Sequence, residues 1–321
     1  MNTRNIFICV ILLSLYQWVD AQNPQDDPNW EIVLEENFDI FNTGRWWKET
    51  GFREEGNSTE DIACLKAENA FTLAGKLILM VKRDTVYHDG PCFYNGHAPG
   101  NHFYSAASVV SSATYGHGYF EILAKMPVTT GYWSSFWLWD SKNTTSEHWY
   151  NEIDIFETKG CYPDSNFTNV HWGFTYPIDI QNGVSISYAC NPPISSYHWY
   201  GLEWDSRQIV WYLDRQPVRI CENNMENIGI QHPMHIILSN ALTPTLDSNN
   251  IFQENLIDPN VTTFPGYMYI DKANVYRLKC DNQTVVVDIP NFSTYQYGVK
   301  KKYHAHQCHH HPHRSRYLFE S

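Results

Sequence analysis

From Trp30 onward the chain repeats one kind of signal: short apolar or alternating runs, each closed by turn residues. "WEIVLEENF" opens the series. "FTLAGKLILMVKRD" reads as two strands around a turn at Gly75, and "YSAASVVSSATYGHGYFEILAKMP" as two more around "TYGHG". "YGLEWDSRQIVWYLDRQPVRI" reads as short strands joined at "DSRQ" and "DRQ", and "YMYIDKANVYRL" as a late alternating strand. Helical periodicity is sparse, with one short turn expected between Met225 and Ile230. Many short strands with regular turns predict an all-β fold, a sandwich or jelly roll of two antiparallel sheets. There is no internal repeat.

The ends differ from this pattern. Arg4, the apolar run Ile6 to Leu15 and the small residues before Ala21 read as a secretory signal peptide over 1–21. The run is shorter than the roughly 20 residues a membrane span needs, and no later segment is long and apolar enough. Residues 22–29, "QNPQDDPN", are expected to be a short flexible lead. The folded domain is expected over 30–299. The tail over 300–321 holds six of the 15 histidines and is expected to lie outside the fold; it reads as a disordered basic tail or, alternatively, a transition-metal capture segment.

A secreted chain is consistent with the seven cysteines that remain after Cys9 leaves with the signal. An odd count leaves one without an intramolecular partner, and Cys308 in the tail is the candidate. Cys64–Cys92 and Cys161–Cys190 are plausible staples. Glycosylation sequons stand at Asn57, Asn143, Asn166, Asn260, Asn282 and Asn291. The formal net charge of −13 argues against nucleic acid or an anionic membrane as partner. Aromatic residues are 15% of the chain, which suits extended aromatic surfaces.

The chemistry concentrates in "NEIDIFETKG", residues 151–160. Glu152, Asp154 and Glu157 interrupt an apolar run, where acids rarely occupy buried positions. Strand alternation places Glu152 and Asp154 on one face. A β-bulge before Glu157 absorbs the extra residue and returns it to that face. Two carboxyls held about 5–5.5 Å apart are what a retaining glycosidase uses. Crowded like charges separate the roles of proton donor and nucleophile, and the Asp between them fixes a rotamer and shares a proton. An acidic calcium cluster or a solvated strand face is the alternative reading of the spacing.

"EIDIFE" resembles the bulged active-site signature of glycoside hydrolase family 16, as found in laminarinases, agarases, porphyranases and κ-carrageenases. Further segments resemble the family in the same order: "GHGYFEILAKMP", "GYWSSFWLWD", "NVHWGF", "YHWYGLEWDSRQIVWYLDRQPV" and "MYIDKANVYRL". The likeness runs from about Trp30 to Leu278. It implies a β-jelly roll with an open substrate cleft, with Glu152 as nucleophile, Asp154 as assisting acid and Glu157 as acid/base. It implies sugar binding by Trp133 and Trp137, which share a strand face with Trp139, although core filling is the other role such tryptophans take. His171 is expected to hydrogen-bond the sugar or the acid/base; Trp204 and Trp211 are expected in the core. Glu36 and Asp271 fall where many members hold a structural Ca²⁺, and catalysis in the family needs no cofactor. Ser134 and Ser135 replace the Pro-Ala usual in laminarinases.

The expected protein is therefore a secreted, monomeric, retaining endo-glycosidase of a polysaccharide, with β-1,3-glucan ahead of algal galactans. Lys142 and Lys159 flank the catalytic strand; they are candidates to meet a sulfate or, as is more frequent for such lysines, ordinary solvated surface residues. A non-catalytic glucan-binding protein is a further alternative, though it would have little use for all three acids.

Overall fold

The structure, a computed structural model, describes residues 24–51, 62–88, 100–143, 148–176, 180–223, 230, 232–243, 262–279 and 286–287. The signal segment, the tail, Cys92, Cys280, Cys308 and the sequons at Asn57, Asn260, Asn282 and Asn291 lie outside them, as does most of the expected turn at 225–230.

The strands are β1 (Trp30–Glu36), β2 (Trp46–Lys48), β3 (Cys64–Leu65), β4 (Ala70–Thr72), β5 (Leu77–His88), β6 (Gly100–Tyr115) and β7 (Gly118–Lys125). They continue with β8 (Tyr132–Asn143), β9 (His148–Lys159), β10 (Ser165–Tyr176), β11 (Ile180–Ala189), β12 (His198–Trp204) and β13 (Gln208–Leu213). The last are β14 (Gln216–Glu222), β15 (Met234–Leu242), β16 (Gly266–Leu278) and β17 (Val286–Val287). A single 3-10 turn, Ala67–Asn69, is the only helical element among the described residues. Hairpins form at the Gly75 turn (β4–β5), at "DSRQ" (β12–β13) and at "DRQ" (β13–β14), whereas the "TYGHG" turn carries the chain from β6 to β7, which pair with different strands. Gly75 adopts a left-handed φ of 68° between β4 and β5, a conformation glycine tolerates without steric cost.

Pairing defines two layers. One runs β14–β13–β12–β7–β16, with β5 and β1 following one another along the far edge of β16. The other runs β11–β10–β9–β8–β15–β6, with β2 and β17 beyond β6. Pairing between β5 and β6 joins the layers. Every pairing between these strands is antiparallel except that of the two-residue β3 with β6. The expected jelly roll is thus realised, as one large antiparallel sheet curving back over its own core.

The core lies between the layers. Phe120, Ile122, Tyr200, Leu202, Trp204 and Trp211 enter from one side; Phe136, Leu138, Ile153, Ile155, Phe156 and Leu238 enter from the other. Trp204 and Trp211 are fully buried, as the sequence predicts. Phe156 interlocks the layers, with ring centroids 6.2 Å from Phe136 and 4.5 Å from Tyr200.

Three expectations change. The lead is docked rather than loose from residue 24 on: Pro24 is buried, and Gln25 donates to the fully buried Glu121 at 2.7 Å. Glu121 also faces Arg215 and Asn274, so burying that carboxylate requires these donors, and the lead supplies one of them. Asn166 is buried with its amide on the Tyr188 hydroxyl, which leaves no room for a glycan. Cys161 and Cys190 are not bridged: Cys161 is exposed, while the Cys190 thiol turns inward toward Tyr200.

Candidate active site

β9 lies between β8 and β10, so its register is fixed from both sides. On β8, Ser135 faces Glu157 and Phe136 faces Phe156, and then the register slips so that Trp137 faces Asp154 and Trp139 faces Glu152. On β10, Phe167 faces Glu157, Asn169 faces Asp154 and His171 faces Glu152, with a slip at the same place. This is the bulge that the spacing of the acids predicts. It lets Ile155 and Phe156, adjacent in sequence, both enter the core. Glu152, Asp154 and Glu157 are left together on the opposite face. Gly160 closes the strand, where a Cβ would collide with the Thr129 carbonyl.

The backing of the strand comes from distant sequence. The fully buried Trp211 indole donates to the Asp154 carbonyl at 2.9 Å. The buried Arg219 guanidinium lies 4.2 Å from the Trp211 ring and donates to the Thr168 carbonyl at 2.6 Å and hydroxyl at 2.7 Å. Thr168 stands between the β10 residues that face Asp154 and Glu157. Both strands at the bulge are therefore held from beneath by the β13–β14 hairpin.

Glu157 is held by two donors. The Trp133 indole donates to Oε1 at 2.8 Å, and the Asn169 amide donates to Oε2. Asp154 is almost completely buried. Burial pushes its carboxyl well above the ordinary value; the charges of Glu152 and Glu157 push the same way, and the Asn169 amide pulls back. Burial and the neighbouring acids therefore favour the protonated form of Asp154 beside Glu152. Asp154 Oδ2 lies 3.7 Å from His171 Nε2, and burial lowers the imidazole pKa. His171 is neutral at pH 7.

The structure thus brings Glu152, Asp154, Glu157, Trp133 and His171 together, and corrects the role of Trp137. That side chain is only 3% exposed, packed with Val110, Ile237, Trp47 and Trp139. It stands opposite Asp154 across the β8–β9 pair, and the side chains packed around its ring leave no open face for stacking. The more open aromatic surface is Trp139, stacked on Tyr150 at 5.7 Å and 15°. Tyr150 stands two residues from Glu152 on the same strand face.

Asn169 is the functional residue that the sequence expectations missed. Its only local signal was its place two residues before His171, on the same face of β10.

Glu36 and Asp271 do not fit a shared calcium ion. Glu36 accepts the Phe38 N–H at 3.2 Å and faces Arg45 at 3.5 Å, while Asp271 pairs with Lys76. Both carboxylates are already neutralised by basic side chains, whereas calcium requires six to eight oxygen ligands.

A jelly roll with a bulged central strand presenting two glutamates around a buried aspartate defines a polysaccharide-cleaving enzyme. Residues 58–253 match the profile of Glycosyl hydrolases family 16, and the chain belongs to that family. It is a retaining glycoside hydrolase acting on O-glycosyl bonds, an endo-β-glycosidase with a carbohydrate substrate. It is 24% identical to a beta-glucanase of Rhodothermus marinus over 86% of this chain and 95% of that protein. The laminarinase catalytic domain of Thermotoga maritima MSB8 superposes with a TM-score of 0.60 at 22% identity, covering 78% of this chain and 98% of that one. The κ-carrageenase of Pseudoalteromonas carrageenovora superposes at 0.62 with 20% identity, covering 79% and 98%. Among the described residues, no helix is long and apolar enough to cross a membrane.

Proposed function

We propose that this protein is a secreted, monomeric endo-hydrolase of β-1,3-glucan in which Glu152 is the nucleophile and Glu157 the acid/base. Glu152 attacks the anomeric carbon while Glu157 gives its proton to the departing glycosidic oxygen. Glu157 then takes a proton from water, which displaces Glu152 from the glycosyl-enzyme. Asp154 holds the proton that faces Glu152. Trp133 and Asn169 fix the rotamer of Glu157, Trp133 also walls the cleft, and His171 hydrogen-bonds the sugar.

The observation that carries the roles is the bulge, which returns Glu157 to the face of Glu152 and Asp154. The glucan assignment is supported by the likeness to a beta-glucanase along nearly that protein's whole length.

One feature favours sulfated galactan as the second reading. Lys159 is exposed, with its ammonium 5.9 Å from the Trp133 ring, at the Glu157 end of the site. The test is a panel of laminarin, mixed-linkage glucan, agarose, porphyran and κ-carrageenan, with the released oligosaccharides identified. Preferred cleavage of laminarin supports the glucan reading, and preferred cleavage of carrageenan replaces it with the galactan. Light scattering on the mature protein checks the monomer, and expression in a secretory host with N-terminal sequencing checks cleavage after Ala21.

A further inference from the structure

Three groups at the site also have the spacing of a metal-ligating set. A carboxylate oxygen of Glu152, one of Asp154 and a ring nitrogen of His171 all lie within 4.8 Å of one another. Asp154 is 3% exposed, and its Oδ2 accepts no hydrogen bond among the described residues. A buried oxygen of this kind ordinarily finds a donor, and leaving it unpaired costs about 1–3 kcal/mol. Here it points toward the imidazole at 3.7 Å, too long for a hydrogen bond.

We propose that Glu152, Asp154 and His171 form a binding site for a borderline transition-metal dication, Zn²⁺ above all, and that the bound ion blocks the enzyme by occupying its nucleophile. Donors on a zinc ion bound at about 2.0–2.1 Å lie roughly 3.3–3.4 Å apart in a tetrahedral set. The Asp154–His171 pair at 3.7 Å is close to that already, and small rotamer changes of the half-exposed Glu152 bring in the third donor. One nitrogen and two carboxylates form a donor set that zinc accepts and calcium, which takes six to eight oxygens, does not. The fourth position opens to the cleft and takes water. On binding, the ion displaces the proton held by Asp154 to the solvent and neutralises two adjacent carboxylates. Inhibition follows from the reading of Glu152 as nucleophile; binding itself does not depend on that reading.

The experiment is a calorimetric titration of ZnCl₂ into the full chain, comparing wild type with His171→Ala, His171→Gln and Glu152→Gln. The six histidines of the tail are present in every protein, so the site appears as a difference in stoichiometry. The expected result is one more zinc per chain in the wild type than in each variant. Zinc inhibition of glycan hydrolysis should be reversed by EDTA, and its inhibition constant should rise at least tenfold in whichever His171 variant remains active. Equal stoichiometry in all four proteins overturns the site. So does inhibition unchanged by both His171 substitutions. A Glu152→Gln protein that still cleaves the polysaccharides, with the wild type still taking one zinc more than the His171 variants, would refute the reading of Glu152 as nucleophile and leave the metal site standing.

Discussion

The division of labour at the site depends on small geometric differences between three acids. Glu152 and Glu157 are half-buried and keep contact with solvent, whereas Asp154 is almost completely buried. Glu157→Gln is expected to lower kcat by roughly 10²–10⁴-fold, the usual worth of a general acid/base. Asn169 touches Glu157 and offsets part of the rise in the Asp154 pKa. Asn169→Ala should therefore reduce kcat about tenfold or more with KM little changed, and shift the pH–rate profile, because burial of Asp154 would then go less opposed. Trp133→Phe keeps an aromatic wall and removes the 2.8 Å bond to Glu157. It should lower kcat more than it raises KM, whereas a purely stacking role would move KM first.

At the scale of the element, the bulge carries the design, and it was legible in the sequence. Period-2 alternation and an apolar pair, Ile155 and Phe156, leave few other ways to put three acids on one face. What holds the bulge was not legible. Trp211 lies 57 positions from the carbonyl it binds, and Arg219 lies 51 positions from Thr168. No local pattern marks such partners; only the stacking of one sheet on the other makes them neighbours. The same reason hid the burial of Trp137, because its strand neighbours are set by β15, about a hundred residues later. Trp211→Phe leaves the Asp154 carbonyl buried without its donor, which should cost about 1–3 kcal/mol in chemical denaturation. If the clamp also positions the acids, kcat falls in that variant while KM holds. An unchanged kcat at reduced stability would make Trp211 a core residue only.

The whole molecule has a pH dependence separate from its chemistry. Asp140, half-buried at the end of β8's aromatic run, has its carboxyl pushed up to about 7, chiefly by burial. In the unfolded chain it titrates near the ordinary 3.8. The folded state therefore binds the proton more tightly. The stability this confers is complete below about 3.8 and is lost as pH rises through about 7. Discounted for partial exposure, the loss is about 1–2 kcal/mol. Asp140→Asn should flatten that part of the stability profile between pH 4 and pH 7, read by denaturant midpoints across pH. At this scale the sequence conveyed the fold class and the succession of strands, because turn residues and alternation are local. It did not reveal that residues 24–29 pack on the sheet, since "QNPQDDPN" has no apolar pattern and its anchor, Glu121, is about a hundred positions away.

In the proposed reaction Glu152 forms the covalent bond to the sugar. A slow-turnover fluorinated glycoside of the oligosaccharide the enzyme cleaves would trap that intermediate, and peptide mass mapping would locate it. The expected result is one adduct per chain, on the peptide carrying residues 151–160, with fragmentation placing it at Glu152. An adduct at Glu157 or outside this strand, or inversion of configuration in the first-formed product, would contradict it.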